Sequence, residues 1–151
     1  MPCNCKKQKS EFVGKYTGKY KRTIIDASSD PNQSTECGTL TLEITQPDSC
    51  NKCAHLMILS YTPYNATGDF EEAPIALLGP LNAEGSIYAI DIQVNETTSS
   101  SVFHQFRLID DCKLEHTLSN KGIISNLSPI WITECNKLKK VKEESKCSCK
   151  Q

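Results

Sequence analysis

A chain of 151 residues is close to the usual size of one domain, and a core of that size needs no crosslink to hold it. Its net charge of −1 excludes bulk electrostatic attraction to nucleic acid, which is not expected as a partner. No apolar run reaches the ~18 residues of a spanning helix, and the first ten residues lack the apolar stretch of a secretory signal, so no membrane span is expected and the location stays unknown.

Residues 1–10 read as a flexible polar arm, rich in Lys and Gln, with Cys3 and Cys5 and no apolar periodicity. A single β-domain is expected over 11–136, followed by a charged arm over 137–151. From Phe12 to Asp26 the pattern predicts a first strand opened by glycine turns, and Ser28-Ser29-Asp30-Pro31-Asn32 is a loop by its turn chemistry. Leu40, Leu42 and Ile44 then alternate with Thr39, Thr41, Glu43 and Thr45, the two-residue period of a half-buried strand. With Cys53 to Thr62 this strand makes a hairpin that reverses after Pro47-Asp48 and carries Cys50 and Cys53 at its tip. Pro74 to Leu78 predicts a short edge strand, because flanking prolines cannot donate to a ladder.

Ser86 to Val94 alternates again and predicts Tyr88, Ile90, Ile92 and Val94 on the buried face. Val102 to Leu108 and Cys112 to Leu118 predict a second hairpin around Asp110-Asp111, in a register that sets Leu108 opposite Cys112, Phe106 opposite Leu114 and His104 opposite His116. Ile123 to Cys135, with Trp131, supplies one or two last strands, and the Lys-rich tail from Lys137 is expected to be solvated. No helical pattern is long enough to cross over between parallel strands. The fold class is all-β, an antiparallel barrel or sandwich of about seven to nine strands with short cysteine-containing terminal arms.

Phe12-Val13-Gly14-Lys15-Tyr16 resembles the Phe-x-Gly-x-aromatic opening of lipocalin and fatty-acid-binding barrels, with tyrosine where those families usually have tryptophan. The resemblance covers five residues and implies a barrel with an interior ligand pocket. The Met-Pro-Cys-Asn-Cys start and Cys-Ser-Cys end are similar to the cysteine-rich proteins of bacterial spore coats and exosporium. That second resemblance implies self-assembly and crosslinking; separately, disulfides formed only after entry into a released particle, a spore or a virion, would reconcile many cysteines with the absent export signal.

Nine cysteines are many for a chain without an export signal, and the odd number leaves at least one thiol unpaired in a monomer or paired between chains. In Cys3-x-Cys5 and Cys147-x-Cys149 both sulfurs of an extended pair point to one side, awkward for bonding to each other and convenient for a shared partner. Cys3, Cys5, Cys50, Cys53, Cys147 and Cys149 are therefore the candidates for crosslinks or zinc, and Cys37, Cys112 and Cys135 are secondary disulfide candidates. Zinc is the one cofactor the pattern admits. His104 and His116 across a strand pair are a weaker metal or acid–base candidate, set against two histidines packed in the domain wall. Asp110-Asp111 is turn chemistry rather than a catalytic pair, and no nucleophile motif surrounds Cys112, so no enzyme is expected.

Two functions follow. One is a structural building block fastened through its cysteine arms to itself or to other structural proteins. The other is a small-ligand-binding barrel or a zinc-stabilised interaction module. The interior separates them, because a binding barrel needs a cavity with convergent polar groups. Expecting large inward residues at Leu42, Ile44, Tyr88, Ile90, Phe106 and Leu114, the sequence favours a filled interior and hence the building block.

Overall fold

A computed structural model describes residues 8–26, 32–65, 74–94, 98–124 and 129–142. Eight strands account for almost all of them, and there is no helix among the described residues. They are β1 (Gly14–Asp26), β2 (Asn32–Thr45), β3 (Ala54–Pro63), β4 (Ile75–Pro80), β5 (Ser86–Val94), β6 (Thr98–Asp110), β7 (Lys113–Ile124) and β8 (Pro129–Lys140). Every ladder is antiparallel and the spatial order is β4-β3-β2-β1-β8-β7-β6-β5. Successive strands are neighbours, as hairpin connections require, and β1 pairs with β8 to bring the two ends of the chain into one sheet. The sheet curls into a nearly closed barrel. Its seam lies between β4 and β5, which share the single bridge Leu81↔Ile87.

The hairpin of β2 and β3 follows the alternation of the sequence: Leu40, Leu42 and Ile44 are buried, as are Met57, Leu59 and Tyr61 opposite them. Turn chemistry then closes one end of the barrel. Asp48 accepts the Cys50 N–H at 2.9 Å and Asn51 the Cys53 N–H at 2.9 Å. Gly85 has φ 84°, a left-handed conformation that glycine takes without strain, in the tight turn between β4 and β5. At the same end Phe12 is buried beneath Tyr16, whose hydroxyl donates to the Phe12 carbonyl at 2.8 Å. The apolar half of the interior is therefore built from Phe12, Tyr16, Leu42, Ile44, Met57, Leu77, Ile87, Phe106, Leu114 and Leu138.

Three sequence expectations need correction. In β5 the alternation is present with the opposite parity: Ile87 and Ala89 are buried, while Tyr88, Ile90 and Ile92 are 43%, 56% and 68% exposed. In the β6–β7 hairpin the register is displaced by two residues, so that Phe106 pairs with His116, His104 with Leu118 and Leu108 with Leu114. The Asp111-Cys112 turn and an irregularity between Leu108 and Asp110 account for the shift, and an even displacement keeps the same side chains inside. Finally, residues 137–140, expected in the solvated tail, belong to β8, because Leu138 continues its buried alternation.

Candidate functional site

The inward positions change character along the barrel. In β1, Tyr16 and Tyr20 are followed in the same phase by Arg22; in β8, Leu138 is preceded in phase by Asn136 and Glu134. Both phases point inward, so the half of the barrel away from Phe12 receives a cation, a carboxylate and an amide. Arg22 pairs with Glu134 across the β1–β8 ladder, and its Nε donates to Glu134 Oε2 at 3.1 Å. Asn136 Nδ2 donates to the other oxygen of Glu134 at 3.0 Å. Burial raises the Glu134 carboxyl above its ordinary value, opposed by the Arg22 guanidinium and the Asn136 amide.

The Asn136 amide also sets the histidines. Its Oδ1 accepts the Lys21 backbone N–H at 3.2 Å, which turns Nδ2 toward His116 Nδ1 at 3.1 Å as well as toward Glu134. With that assignment, His116 Nδ1 is an acceptor and its Nε2–H donates to His104 Nδ1 at 2.9 Å, leaving the proton of His104 on Nε2. Both rings are buried and stack at 5.2 Å between centroids, and His116 stacks on Phe106 at 4.9 Å. Burial pushes His104 down to about 4, with Asp91 acting against it, and pushes His116 down to about 3, helped by His104 and Arg22. The pair is neutral at pH 7.

Two tyrosines frame the cation. The Arg22 guanidinium carbon lies 4.7 Å from the Tyr61 ring centre and 5.7 Å from that of Tyr20, and the two rings meet edge-to-face at 4.9 Å. Tyr20 donates its hydroxyl to Glu36 at 2.6 Å. Gly38 makes room for this ring, since a Cβ there would lie 2.6 Å from a Tyr20 ring carbon. The Tyr61 hydroxyl is buried close to Glu134 and Arg22 without a well-formed hydrogen bond to either, and burial, then the Glu134 charge, raises its pKa. Beside this network an open cleft of about 390 Å³ is lined by Ile24, Ser34, Glu36, Cys37 and Tyr64. Glu36 is shared between the cleft and the interior network.

The cysteines are arranged differently from the candidate list. Cys50 is disulfide-bonded and in that state is no thiolate ligand for zinc. Cys53, at the same hairpin tip, is an exposed thiol. Cys37 and Cys135 are exposed thiols on the outer faces of β2 and β8, and Cys112 is buried at the β6–β7 turn, outside any disulfide. Lys21 pairs with Cys37 and lies one residue from the Arg22–Glu134 pair, so β1 separates Cys37 from Cys135 by about two strand spacings, ~9–10 Å, too far for a disulfide. Cys3, Cys5, Cys147 and Cys149 lie outside the described residues. Among the described residues no group of three or more His, Cys, Asp or Glu is placed to hold a metal ion, and His104 and His116 engage each other directly.

Of the sequence candidates, then, His104 and His116 belong to the network, adjacent on a diagonal rather than directly opposite, and Cys37 lines the cleft beside it. Arg22, Tyr61, Glu134 and Asn136 escaped notice. Their signal was available, as polar residues in phase with the inward aromatic and apolar positions of β1, β3 and β8.

No protein-family model matches the chain, and no curated protein matches it. Among solved structures it is similar to the S-type phycobiliprotein lyase CPES from Guillardia theta, at 8% sequence identity and a TM-score of 0.47, over 89% of this chain and 90% of that one.

Proposed function

We propose that this protein binds a small organic ligand in the polar half of its barrel. The observation that carries the reading is the convergence of Arg22, Glu134, Asn136, His116 and His104 inside the barrel, beside the buried Tyr61 hydroxyl that lacks a well-formed hydrogen bond. A barrel that only served as a building block would fill this half with apolar side chains, as it does around Phe12. Of the six large residues expected inside, Leu42, Ile44, Phe106 and Leu114 are buried, while Tyr88 and Ile90 face outward and leave the inward phase of β5 to Ala89 and Asp91. The neighbouring cleft of about 390 Å³ is within the size range of ligand pockets.

The chemistry of the lining selects the ligand. Glu134, Glu36 and Asp91 outnumber Arg22, whose Nε is already held by Glu134, so the network disfavours an added anion. A neutral or cationic molecule with an acceptor for the Tyr61 hydroxyl and an apolar body against Ile24 suits it best. The proposal is tested by screening a library of neutral, cationic and anionic molecules for thermal stabilisation of the protein. Neutral or cationic hits whose effect is weakened in Tyr61→Phe, which removes the hydroxyl offered to the ligand and leaves the Arg22–Glu134 pair in place, support the reading. Hits confined to anions, or unaffected by that change, contradict it.

A further inference from the structure

We infer that the outer face across the β4–β5 seam is the interface of a two-fold dimer of this chain. The face is assembled from β3 to β6 by outward alternation. Leu56 pairs with Leu78 between β3 and β4, and Ile90 pairs with Phe103 between β5 and β6. Continuing the antiparallel register of the bridge Leu81↔Ile87 places Leu78 opposite Ile90, so one apolar row, Leu56-Leu78-Ile90-Phe103, crosses the seam. Tyr88 and Ile92 flank it along β5.

These side chains are not incidental exposures. Leu78 is 73% exposed, Ile92 68%, Ile90 56%, Phe103 48% and Tyr88 43%. Together they present on the order of 600 Å² of largely apolar surface, the upper end of what a monomer carries and near the ~800 Å² that each partner gives to a standard interface. The outward neighbours Ser101 and Gln105 on β6 and Thr117 and Ser119 on β7 carry no charge. Arg107 and Glu115, outward charges on these two strands, lie beyond Gln105 and Thr117 at the rim and pair with each other at 3.1 Å. A second copy fits this face, because a charge-free apolar core is the composition of homodimer interfaces and a two-fold axis near Ile90 lays the row against itself. The seam adds a reason. With a single bridge between β4 and β5, the barrel leaves strand edges that a facing copy covers.

The inference is independent of ligand binding inside the barrel. It is tested by sedimentation velocity on the full chain over a concentration series, after alkylation of free thiols so that no disulfide exchange contributes. The expected result is a non-covalent dimer for the parent protein and for Trp131→Lys, an exposed apolar residue on β8 away from the seam. Ile90→Lys, and separately Phe103→Ser, should weaken dimerisation at least ~30-fold, as loss of a central interface residue does, with unchanged circular dichroism. A monomeric parent at all concentrations overturns the inference, as does a dimer that survives Ile90→Lys. Co-sedimentation of a monomeric parent with phosphatidylcholine vesicles, abolished by Ile90→Lys, would also overturn it and assign the face to a lipid surface.

Discussion

Arg22 and Glu134 meet inside the barrel at 3.1 Å, with the Glu134 side chain fully buried and that of Arg22 still 18% exposed. The asymmetry decides what each contributes. Glu134 has given up its hydration and depends on Arg22 and Asn136 to replace it, whereas Arg22 reaches from the buried carboxylate toward solvent and toward Glu36, 3.9 Å away.

Removing the cation should therefore cost more than removing the pair. Arg22→Met leaves a buried carboxylate without its counter-charge and is expected to destabilise by roughly 3–5 kcal/mol. The double change Arg22→Met with Glu134→Leu should lose less than Arg22→Met alone. Urea denaturation of the two variants measures both; a single change that costs under about 1 kcal/mol would mean that Glu134 is not held as described.

The histidine pair should make stability depend on pH. Both side chains titrate near 6.5 when unfolded but at about 4 and about 3 in the fold, so between these values the unfolded chain binds more protons. Their contribution is fully present above pH 6.5 and is lost as pH falls through about 4 toward 3. His104→Gln with His116→Gln should flatten the denaturation profile in that window and leave metal content unchanged. A profile that stays as steep, or a stoichiometric metal lost with the histidines, would contradict a neutral, mutually bonded pair.

Core and surface positions on adjacent strands should respond oppositely. Phe106 is fully buried, and Phe106→Ala is expected to cost roughly 3–5 kcal/mol. Ile92, two-thirds exposed on β5, should tolerate serine within about 0.5 kcal/mol in dilute solution. Thermal or urea melts of the two variants check the strand parities directly.

The same contrast explains what the sequence could convey. In β2 the outward positions are Thr and Glu, so alternation alone identifies Leu40, Leu42 and Ile44 as core. In β5 the outward set, Tyr88, Ile90 and Ile92, is larger and more apolar than the inward set of Ile87, Ala89 and Asp91. Period two is visible there, but which face is covered depends on tertiary neighbours. The β6–β7 register turned on how many residues form the turn at Asp110, whose side chain accepts the Cys112 N–H at 2.8 Å, a matter of two residues that the apolar pattern tolerates. The polar network was least legible because Arg22, Tyr61 and Glu134 come from three strands far apart in sequence and carry no local motif. Its nearest sequence trace was the pair of histidines.

Tyr61 offers a sharper test of whether the network is adapted to a partner. A buried hydroxyl without a well-formed hydrogen bond costs about 1–3 kcal/mol, so Tyr61→Phe should leave the ligand-free protein as stable as the parent or more so. The same variant should bind the screened ligand more weakly. Loss of stability in the ligand-free variant, seen in a thermal melt, would mean that the hydroxyl has a structural task within the chain.

Entry of a small molecule into the polar half of the barrel would be read from the imidazole nitrogen spectrum of the histidines during titration with the molecule that emerges from the screen. His55 serves as the internal reference, because it is buried at the opposite end with its Nε2 2.6 Å from Ser10 Oγ. The His104 and His116 resonances should shift in a saturable way while those of His55 stay in place. Saturable binding that leaves His104 and His116 unmoved, or that moves His55 alone, would contradict a ligand in the polar half.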